Sequence, residues 1–278
     1  MPQPFLEISR DGPVAVLTMD RPATANAVSD PDAIGALLDA CAAINADHGV
    51  RAVVLTGRGS AFSAGGNLKT LREQFGAGLG APVWSRLAYR DGIQRLPLAL
   101  HGLEVPTIAA VNGHAIGAGN DLACMCDIRI AAETARFAAS FIKLGLLPGD
   151  GGAWLLPRVV GRSRAAEMVF TGRTLDARQA LDWGLVSQVV PAEQLMPAAL
   201  ALAHEIAQHS GSALRMAKRL LREGEHSRLD TLLEMSAAMQ ALAHHTPEHE
   251  AALAAFATRR ARGAATASNQ PANEGTAP

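Results

Sequence analysis

The sequence has little charge and no long hydrophobic run. Charged residues make up 18% of the 278 residues, and the net charge is -1. A near-neutral chain lacks the basic excess that holds nucleic acid, so we expect no nucleic-acid partner. No apolar run reaches the roughly 20 residues that cross a bilayer. Residues 1–12 also do not join a basic segment to an apolar core. These absences predict a soluble, cytoplasmic protein without a membrane partner.

Cysteine is scarce as well. The three cysteines, Cys41, Cys124 and Cys126, all lie in apolar surroundings. One residue separates the last two, and no histidine stands near them at a zinc-binding spacing. We therefore interpret the cysteines as core residues and predict no metal site.

The most informative stretch runs from residue 106 to residue 131 and has the sequence PTIAAVNGHAIGAGNDLACMCDIRIA. Its first apolar, partly β-branched residues predict a buried strand that ends at the turn pair Asn112-Gly113. A glycine loop around Gly117 follows, and a helical pattern begins at Asn120. The stretch therefore predicts a strand, a glycine loop and a helix start in immediate succession.

A helix start of this kind can hold an anion, because its first N–H groups are unpaired and carry partial positive charge. A bound phosphate would normally bring a lysine or arginine into the loop, and this loop has neither. A carbonyl oxygen that becomes negative only during reaction fits better. Ala118 would then donate its N–H, and Asp121 would transfer a proton. The alternative is a glycine turn with an aspartate cap.

The residues before this stretch predict a mainly parallel sheet and a second glycine loop. Residues 5–19 alternate around an Asp-Gly turn, which indicates a hairpin. A helical pattern over residues 29–46 and a buried strand at residues 50–56 indicate a crossover between parallel strands. The strand leads into the loop of residues 57–69, GRGSAFSAGGNLK. Two glycine loops that follow parallel strands lie where α/β sheets bind ligands.

After residue 190 the pattern becomes helical throughout. The helical segments between residues 191 and 260 carry more leucine and methionine than they can bury among themselves. They predict a C-terminal oligomerisation region over residues 191–262, which follows an α/β catalytic core over residues 1–190. Residues 263–278 are rich in alanine, serine, asparagine and glycine, and we expect a disordered tail.

Six motifs follow one another along the chain. They are RPATANA at residues 21–27, AFSAGGNLK at 61–69, IAAVNGHAIGAG at 108–119, CDIRIA at 126–131, GLLPGDGG at 145–152 and ALDWGLV at 180–186. In this order they resemble the crotonase superfamily, the enoyl-CoA hydratase/isomerase family. The resemblance implies an α/β, crotonase-like fold of repeated ββα units with a C-terminal all-helical region.

The resemblance also implies an acyl-CoA thioester substrate, with coenzyme A as part of the substrate and no separate cofactor. The two N–H groups of the family's oxyanion hole fall on Ala64 and Ala118, and the first catalytic carboxylate falls on Asp121. Substrate-binding positions carry over to Ala25, Ala27, Gly65, Gly66, Asn67, Leu68 and Gly117. Because the family forms trimers or pairs of trimers, we expect a homo-trimer or hexamer.

One position departs from the hydratase pattern. The second hydratase carboxylate falls on Phe141, which cannot transfer a proton. Hydration commonly uses two carboxylates around the water, whereas a double-bond shift needs one acid/base beside an enolate. We therefore expect an isomerase slightly ahead of a hydratase that uses Asp121 with another group. An acyl-CoA hydrolase and a non-catalytic CoA-ester-binding protein are further alternatives.

Two other polar residues are candidates. Asp150 lies one residue beyond the position where related isomerases carry an acid, and a cap for the helix entered at Gly151 is the favoured interpretation of it. Ser63 lies one residue short of the Gly-x-Ser-x-Gly pattern of serine hydrolases. Between the loops, residues 70–94 carry Trp84 and Tyr89 and little charge, which predicts a pocket for a medium-sized apolar acyl group.

Overall fold

The computed structural model describes residues 4–67, 69, 72 and 82–268, with side chains described as far as residue 258. The chain divides into two compact units, Met1–Arg215 and Met216–Pro278. The strands are β1 (Leu6–Asp11), β2 (Val14–Met19), β3 (Ala52–Gly57), β4 (Ala61–Ser63), β5 (Thr107–Val111), β6 (His114–Ile116), β7 (Ile128–Ala132), β8 (Arg136–Ala138), β9 (Leu175–Asp176) and β10 (Gln188–Val190).

Helices follow most of these strands. They are α1 (Pro31–Ala46), α2 (Pro82–Asp91), α3 (Arg95–His101), α4 (Ala118–Cys124), α5 (Gly152–Val160), α6 (Arg162–Thr171), α7 (Ala177–Asp182), α8 (Leu195–Ala207), α9 (Gly211–Glu223), α10 (Leu229–His244) and α11 (Pro247–Ser268). Short 3-10 turns lie at Pro22–Thr24, Ser140–Leu144 and Ala192–Gln194.

A six-stranded sheet in the order β1-β2-β3-β5-β7-β10 forms the centre of the first unit. The predicted hairpin is confirmed, since β1 and β2 pair antiparallel with Leu6 opposite Met19. The remaining neighbours in this sheet pair in parallel, as the crossover pattern predicts. Every residue of β3 and β5 is buried, because helices cover both faces of a parallel sheet.

Helix α8 belongs to the first unit. Its residues Leu195, Ala199 and Ala203 are buried in one cluster with sheet residues such as Val54 and Ile108. Small alanines let the helix lie close to the sheet. The compact core therefore extends to Arg215, beyond the boundary predicted at residue 190. The three cysteines are buried and none of them forms a disulfide, which agrees with the predicted core role.

The second unit is helical, as predicted. Helix α11 continues to Ser268, so residues 263–268, expected to be disordered, are helical instead. Residues 269–278 lie outside the described residues. Among the helices that the structure describes, none combines the length and the apolar character that a membrane crossing requires.

A second, four-stranded sheet in the order β4-β6-β8-β9 positions the site. Strands β4 and β6 pair in parallel, with Ser63 opposite Ala115. Since a glycine loop follows each of these strands, the pairing places the two loops side by side. The Asn26 side chain fixes the start of β4, because its Nδ2 donates to Ala61 O at 2.8 Å and its Oδ1 accepts the Arg21 N–H at 2.9 Å.

We predict opposite effects of the same glycine-to-alanine change at two positions. A Cβ at Gly119 would lie 2.0 Å from Ser63 O, whereas a Cβ at Gly35 in α1 would meet nothing within 4 Å. Gly119→Ala should lower the free energy of unfolding by about 1–3 kcal/mol or more, because backbone must move. Gly35→Ala should raise it by about 0.5–1 kcal/mol. Urea unfolding measures the free energy of unfolding of each variant. Equal values for Gly119→Ala and Gly35→Ala would contradict the close approach of the loops.

Candidate active site

A cavity of about 910 Å³ opens beside the two glycine loops. The start of α1, the segment from α2 into α3 and the 3-10 turn Ser140–Leu144 supply the rest of its wall. Predicted site residues that line it are Ala64, Gly66, Gly117, Ala118 and Asp150. The wall is mostly apolar, which suits an organic ligand held by few polar groups.

The two glycine loops touch backbone to backbone. A Cβ at Gly65 would lie 2.5 Å from Ile116 O and 2.7 Å from Ala118 N. Gly65 also has a φ of 77°, a left-handed value that glycine adopts without strain. Glycine is therefore required here for two reasons, and the contact brings the N–H groups of both loops to one wall of the cavity.

Ala118 is the first residue of α4, and its N–H is one that a helix leaves unpaired. None of the described groups accepts a hydrogen bond from this N–H. The prediction for Ala64 is wrong, because the Ala64 N–H donates to Ala25 O at 2.8 Å and is not available to a ligand. Gly66, two residues later, lines the cavity, and its N–H has no acceptor within the described chain. The available pair of donors is thus Gly66 and Ala118.

Ser63 is fully buried and cannot serve as a nucleophile. Its Oγ donates to Asn26 O at 2.8 Å and accepts the Gly65 N–H at 3.1 Å. Both bonds hold the loop in shape. The serine-hydrolase interpretation therefore has no support in the geometry.

Asp121 lies on α4, fully buried, and is not among the residues that line the cavity. It does not cap its own helix. Its Oδ2 instead accepts the N–H of Gly152, the first residue of α5, at 3.1 Å. A Cβ at Gly152 would lie 2.2 Å from Asp121 Oδ1, so only glycine admits the carboxyl group there. Asp121 Oδ1 has no hydrogen-bond partner within the described chain.

Asp150 lines the cavity and is 5% exposed. The interpretation of Asp150 as a helix cap is wrong, because the N-cap of α5 is Gly151 and no side chain bonds there. Gly151 has a φ of 99°, a left-handed value that glycine adopts without strain. Asp150 Oδ1 is buried without a hydrogen-bond partner among described residues.

The two carboxyl groups have different pKa values. Burial, and after it the charge of Asp150, raise the pKa of Asp121 to about 8. The Asn120 amide and the Gly152 N–H act against this rise, although no contact of Asn120 with the carboxyl group has hydrogen-bond geometry. Burial alone raises the pKa of Asp150 to about 6. Near neutral pH, Asp150 is mostly ionised and Asp121 mostly protonated.

Phe141 contributes an apolar ring to the cavity wall. Its ring lies 3.8 Å from the position of a Cβ on Gly117 and lines the cavity. The ring therefore covers the glycine loop with apolar surface.

The remaining predicted binding residues support the loops. Asn67 donates its N–H to Ser29 Oγ at 2.9 Å, and Gly65 O accepts the Val28 N–H at 2.8 Å. Ala27 is buried, neither it nor Ala25 lines the cavity, and Leu68 lies outside the described residues. Sequence reasoning missed the wall residues Ser29, Ile34, Gly35, Ile93, Arg95 and Lys143. The helical pattern of α1 predicted a buried face there but not that a cavity lies beside it.

Comparisons with known proteins agree with this geometry. The sequence profile of the family described as enoyl-CoA hydratase/isomerase matches residues 9–263. The chain therefore belongs to this family of enzymes, within the crotonase superfamily.

Individual relatives are similar over almost their whole length. The chain is 38% identical over 259 residues to a Mycobacterium bovis protein named probable enoyl-CoA hydratase echA8, which covers 91% of this chain and 95% of that protein. It is 36% identical to the 1,2-epoxyphenylacetyl-CoA isomerase of Escherichia coli, over 89% of this chain and 93% of that one. The solved structure of an enoyl-CoA hydratase from Bacillus anthracis has a TM-score of 0.85 and 32% identity, over 92% and 96% of the two chains. The fold is the crotonase fold.

We predict that Asp121→Asn stabilises the protein increasingly as the pH rises from about 4 to about 8. The folded chain holds a proton on Asp121 that the unfolded chain, with an aspartate pKa of about 3.9, releases. Wild-type stability therefore falls across this window, and asparagine removes the loss, by roughly 5 kcal/mol at pH 8. Urea unfolding at several pH values measures the difference.

Asp150→Asn provides the comparison for this prediction. For Asp150→Asn, the stability difference from the wild type should stop growing near pH 6, because burial raises the Asp150 pKa only to about 6. A stability difference for Asp121→Asn that does not change with pH would show that the Asp121 carboxyl group titrates normally.

Proposed function

We propose that this enzyme moves the double bond of an enoyl-CoA thioester, with the Gly66 and Ala118 N–H groups as its oxyanion hole. A base removes a proton from C2 of a 3-enoyl thioester, and the electron pair moves into the thioester carbonyl. The negative oxygen then accepts from both N–H groups. The electron pair returns as a proton is delivered to C4, which leaves the double bond between C2 and C3.

We assign the base to Asp150. It lines the cavity, and a pKa near 6 leaves it ionised at neutral pH yet basic enough to take a proton. Asp121 lies behind it with a raised pKa of about 8 and keeps its proton. Two carboxyl groups whose environments separate their pKa values suit an acid and a base. Because Asp121 does not line the cavity, we assign both proton transfers to Asp150, which takes the proton from C2 and delivers it to C4. Asp121 stays protonated and accepts the Gly152 N–H.

The observation that carries the preference for isomerisation is Phe141. Its ring lines the cavity, and a water molecule held there would have an apolar neighbour in place of a second carboxylate. The similarity to the 1,2-epoxyphenylacetyl-CoA isomerase also favours a shift of bonds within the acyl group. Hydration remains the second candidate, because the Mycobacterium bovis relative is named a hydratase.

Mass spectrometry in deuterated water separates the two reactions. With 3-hexenoyl-CoA we expect deuterium incorporation and a moved double bond without added water. With 2-hexenoyl-CoA we expect exchange but no gain of one water. Asp150→Asn should lower kcat/KM at least about 100-fold, as expected for loss of a general base.

The matched control for this experiment is Asp39→Asn, which changes an exposed aspartate of α1. It should leave kcat/KM within about twofold, as expected for a surface change. Addition of water to 2-hexenoyl-CoA at a rate above exchange would establish hydration instead. Full activity of Asp150→Asn would move the base role to Asp121.

We also propose that the enzyme acts as a homo-oligomer. Three leucines of α10, Leu229, Leu233 and Leu242, are 72%, 59% and 65% exposed in the single chain. Repeated exposed leucines on one helix are typical of a surface covered by another subunit.

Analytical ultracentrifugation tests the oligomer. We expect a mass of three or six times 29.0 kDa, and Leu233→Asp should shift the protein towards smaller species. The charged side chain would oppose burial of the helix in a contact. A monomer at micromolar concentration would contradict the proposal.

A further inference from the structure

Two histidines lie side by side where α10 is followed by α11. His244 is the last residue of α10, and His249 lies in the first turn of α11. His244 Nδ1 and His249 Nε2 are 3.1 Å apart, and the two ring planes are inclined by 77°. His244 is exposed and His249 is half-buried, so a small ligand can reach both rings from solvent.

The turn between the two helices is held by Thr246. Its Oγ1 donates to Ala243 O at 2.8 Å and accepts the His249 N–H at 3.3 Å, and its own N–H donates to Ala243 O at 3.2 Å. Pro247 then begins α11 with a restricted φ. Because these bonds fix the backbone between the histidines, the two rings need little rearrangement to bind one ligand together.

The spacing of the two rings suits a shared metal ion. Two Zn–N bonds of about 2.1 Å at an angle near 95° put the nitrogens about 3.1 Å apart and the ring centroids about 4.8 Å apart. The observed centroid separation is 4.8 Å. In a straight N–H···N hydrogen bond of the observed length, the centroids would lie about 5.4 Å apart. The two nitrogens therefore do not point straight at each other, which leaves both lone pairs able to meet at an ion.

Gln240, one turn before His244 on α10, orients the first ring. Its side-chain amide lies 3.4 Å from His244 Nε2. The amide oxygen and nitrogen can exchange places by rotation, so the oxygen can accept an Nε2–H. A proton held on Nε2 leaves the Nδ1 lone pair available, which is the usual arrangement of a metal-binding histidine.

The two imidazoles are the whole protein contribution to this cluster. Among the described residues, no group of three or more histidine, cysteine, aspartate and glutamate side chains is placed to hold a metal ion. Water would therefore fill the remaining coordination positions. Glu248 and Glu250, on either side of His249 in the sequence, add negative charge that favours a cation. Imidazole nitrogens select zinc, copper and nickel over magnesium and calcium.

We propose that His244 and His249 form a binding site for a divalent transition-metal ion, represented by Zn²⁺. The ion would link the end of α10 to the start of α11. The sequence prediction of no metal site rested on the cysteines, whereas the turn at Thr246 brings these two histidines together. The site is independent of the proposed function, because none of its residues lines the cavity beside the glycine loops.

Isothermal titration of the untagged full chain with zinc chloride tests the proposal. We expect one ion per chain. His244→Asn and His249→Asn should each weaken zinc binding at least about tenfold, because each variant removes one of two ligands that act together. Absence of zinc binding by the wild type at millimolar zinc would overturn the proposal.

His245→Asn is the matched control, since it removes an exposed histidine of the same turn that is not part of the pair. It should bind zinc as tightly as the wild type. Equal weakening in all three histidine variants would show that zinc binds histidines of this turn without selecting the pair, and would overturn the site.

Thermal unfolding gives a second readout. Excess zinc should raise the Tm of the wild type, because an ion that binds the folded chain stabilises it, and should leave the Tm of His249→Asn unchanged. Equal shifts in both proteins would overturn the site. Gln240→Leu keeps both ligands and should weaken zinc binding about tenfold, as expected for loss of an orienting partner. An unchanged affinity in Gln240→Leu would overturn the orienting role of Gln240.

Discussion

The backbone contact between the two glycine loops is the constraint on which the site depends. Gly65 lies against Ala118 N, and Gly119 lies against Ser63 O. Both contacts are so close that a Cβ on either glycine would clash with backbone atoms. The parallel pairing of β4 with β6 sets this contact. With the loops in contact, the N–H groups of Gly66 and Ala118 reach one cavity wall. Fixed donors of this kind stabilise a developing oxyanion without rearranging during the reaction.

A second feature follows from the same close packing. Helix α4 starts at the loop contact, and its Asp121 is carried into the core, where the start of α5 supplies one N–H. Asp150 precedes α5 and stays at the cavity wall. Burial raises the pKa of both aspartates, and the charge of Asp150 adds to the rise for Asp121, which separates the two pKa values. The carboxyl group with the lower pKa lines the cavity, and the one with the higher pKa is buried.

Phe141 and Tyr89 line the same cavity as Asp150. Both residues lie outside the glycine loops, on a 3-10 turn and on α2. In the proposed function the loops hold the thioester oxygen, whereas the Phe141 ring keeps the neighbouring wall apolar.

Local patterns in the sequence determined the hairpin, the parallel strands, the two glycine loops and the C-terminal helices, because alternation, helical spacing and turn residues act over short distances. The sequence also determined the family, through motifs in a fixed order. Tertiary structure alone decided which loop N–H is available, since Ala25, 39 residues before Ala64, accepts the Ala64 N–H. It also decided that Gly151, not Asp150, is the N-cap of α5 and that Asp150 lines the cavity while Asp121 is buried. Each of these outcomes depends on where distant segments pack, and a pattern along the chain does not contain that information.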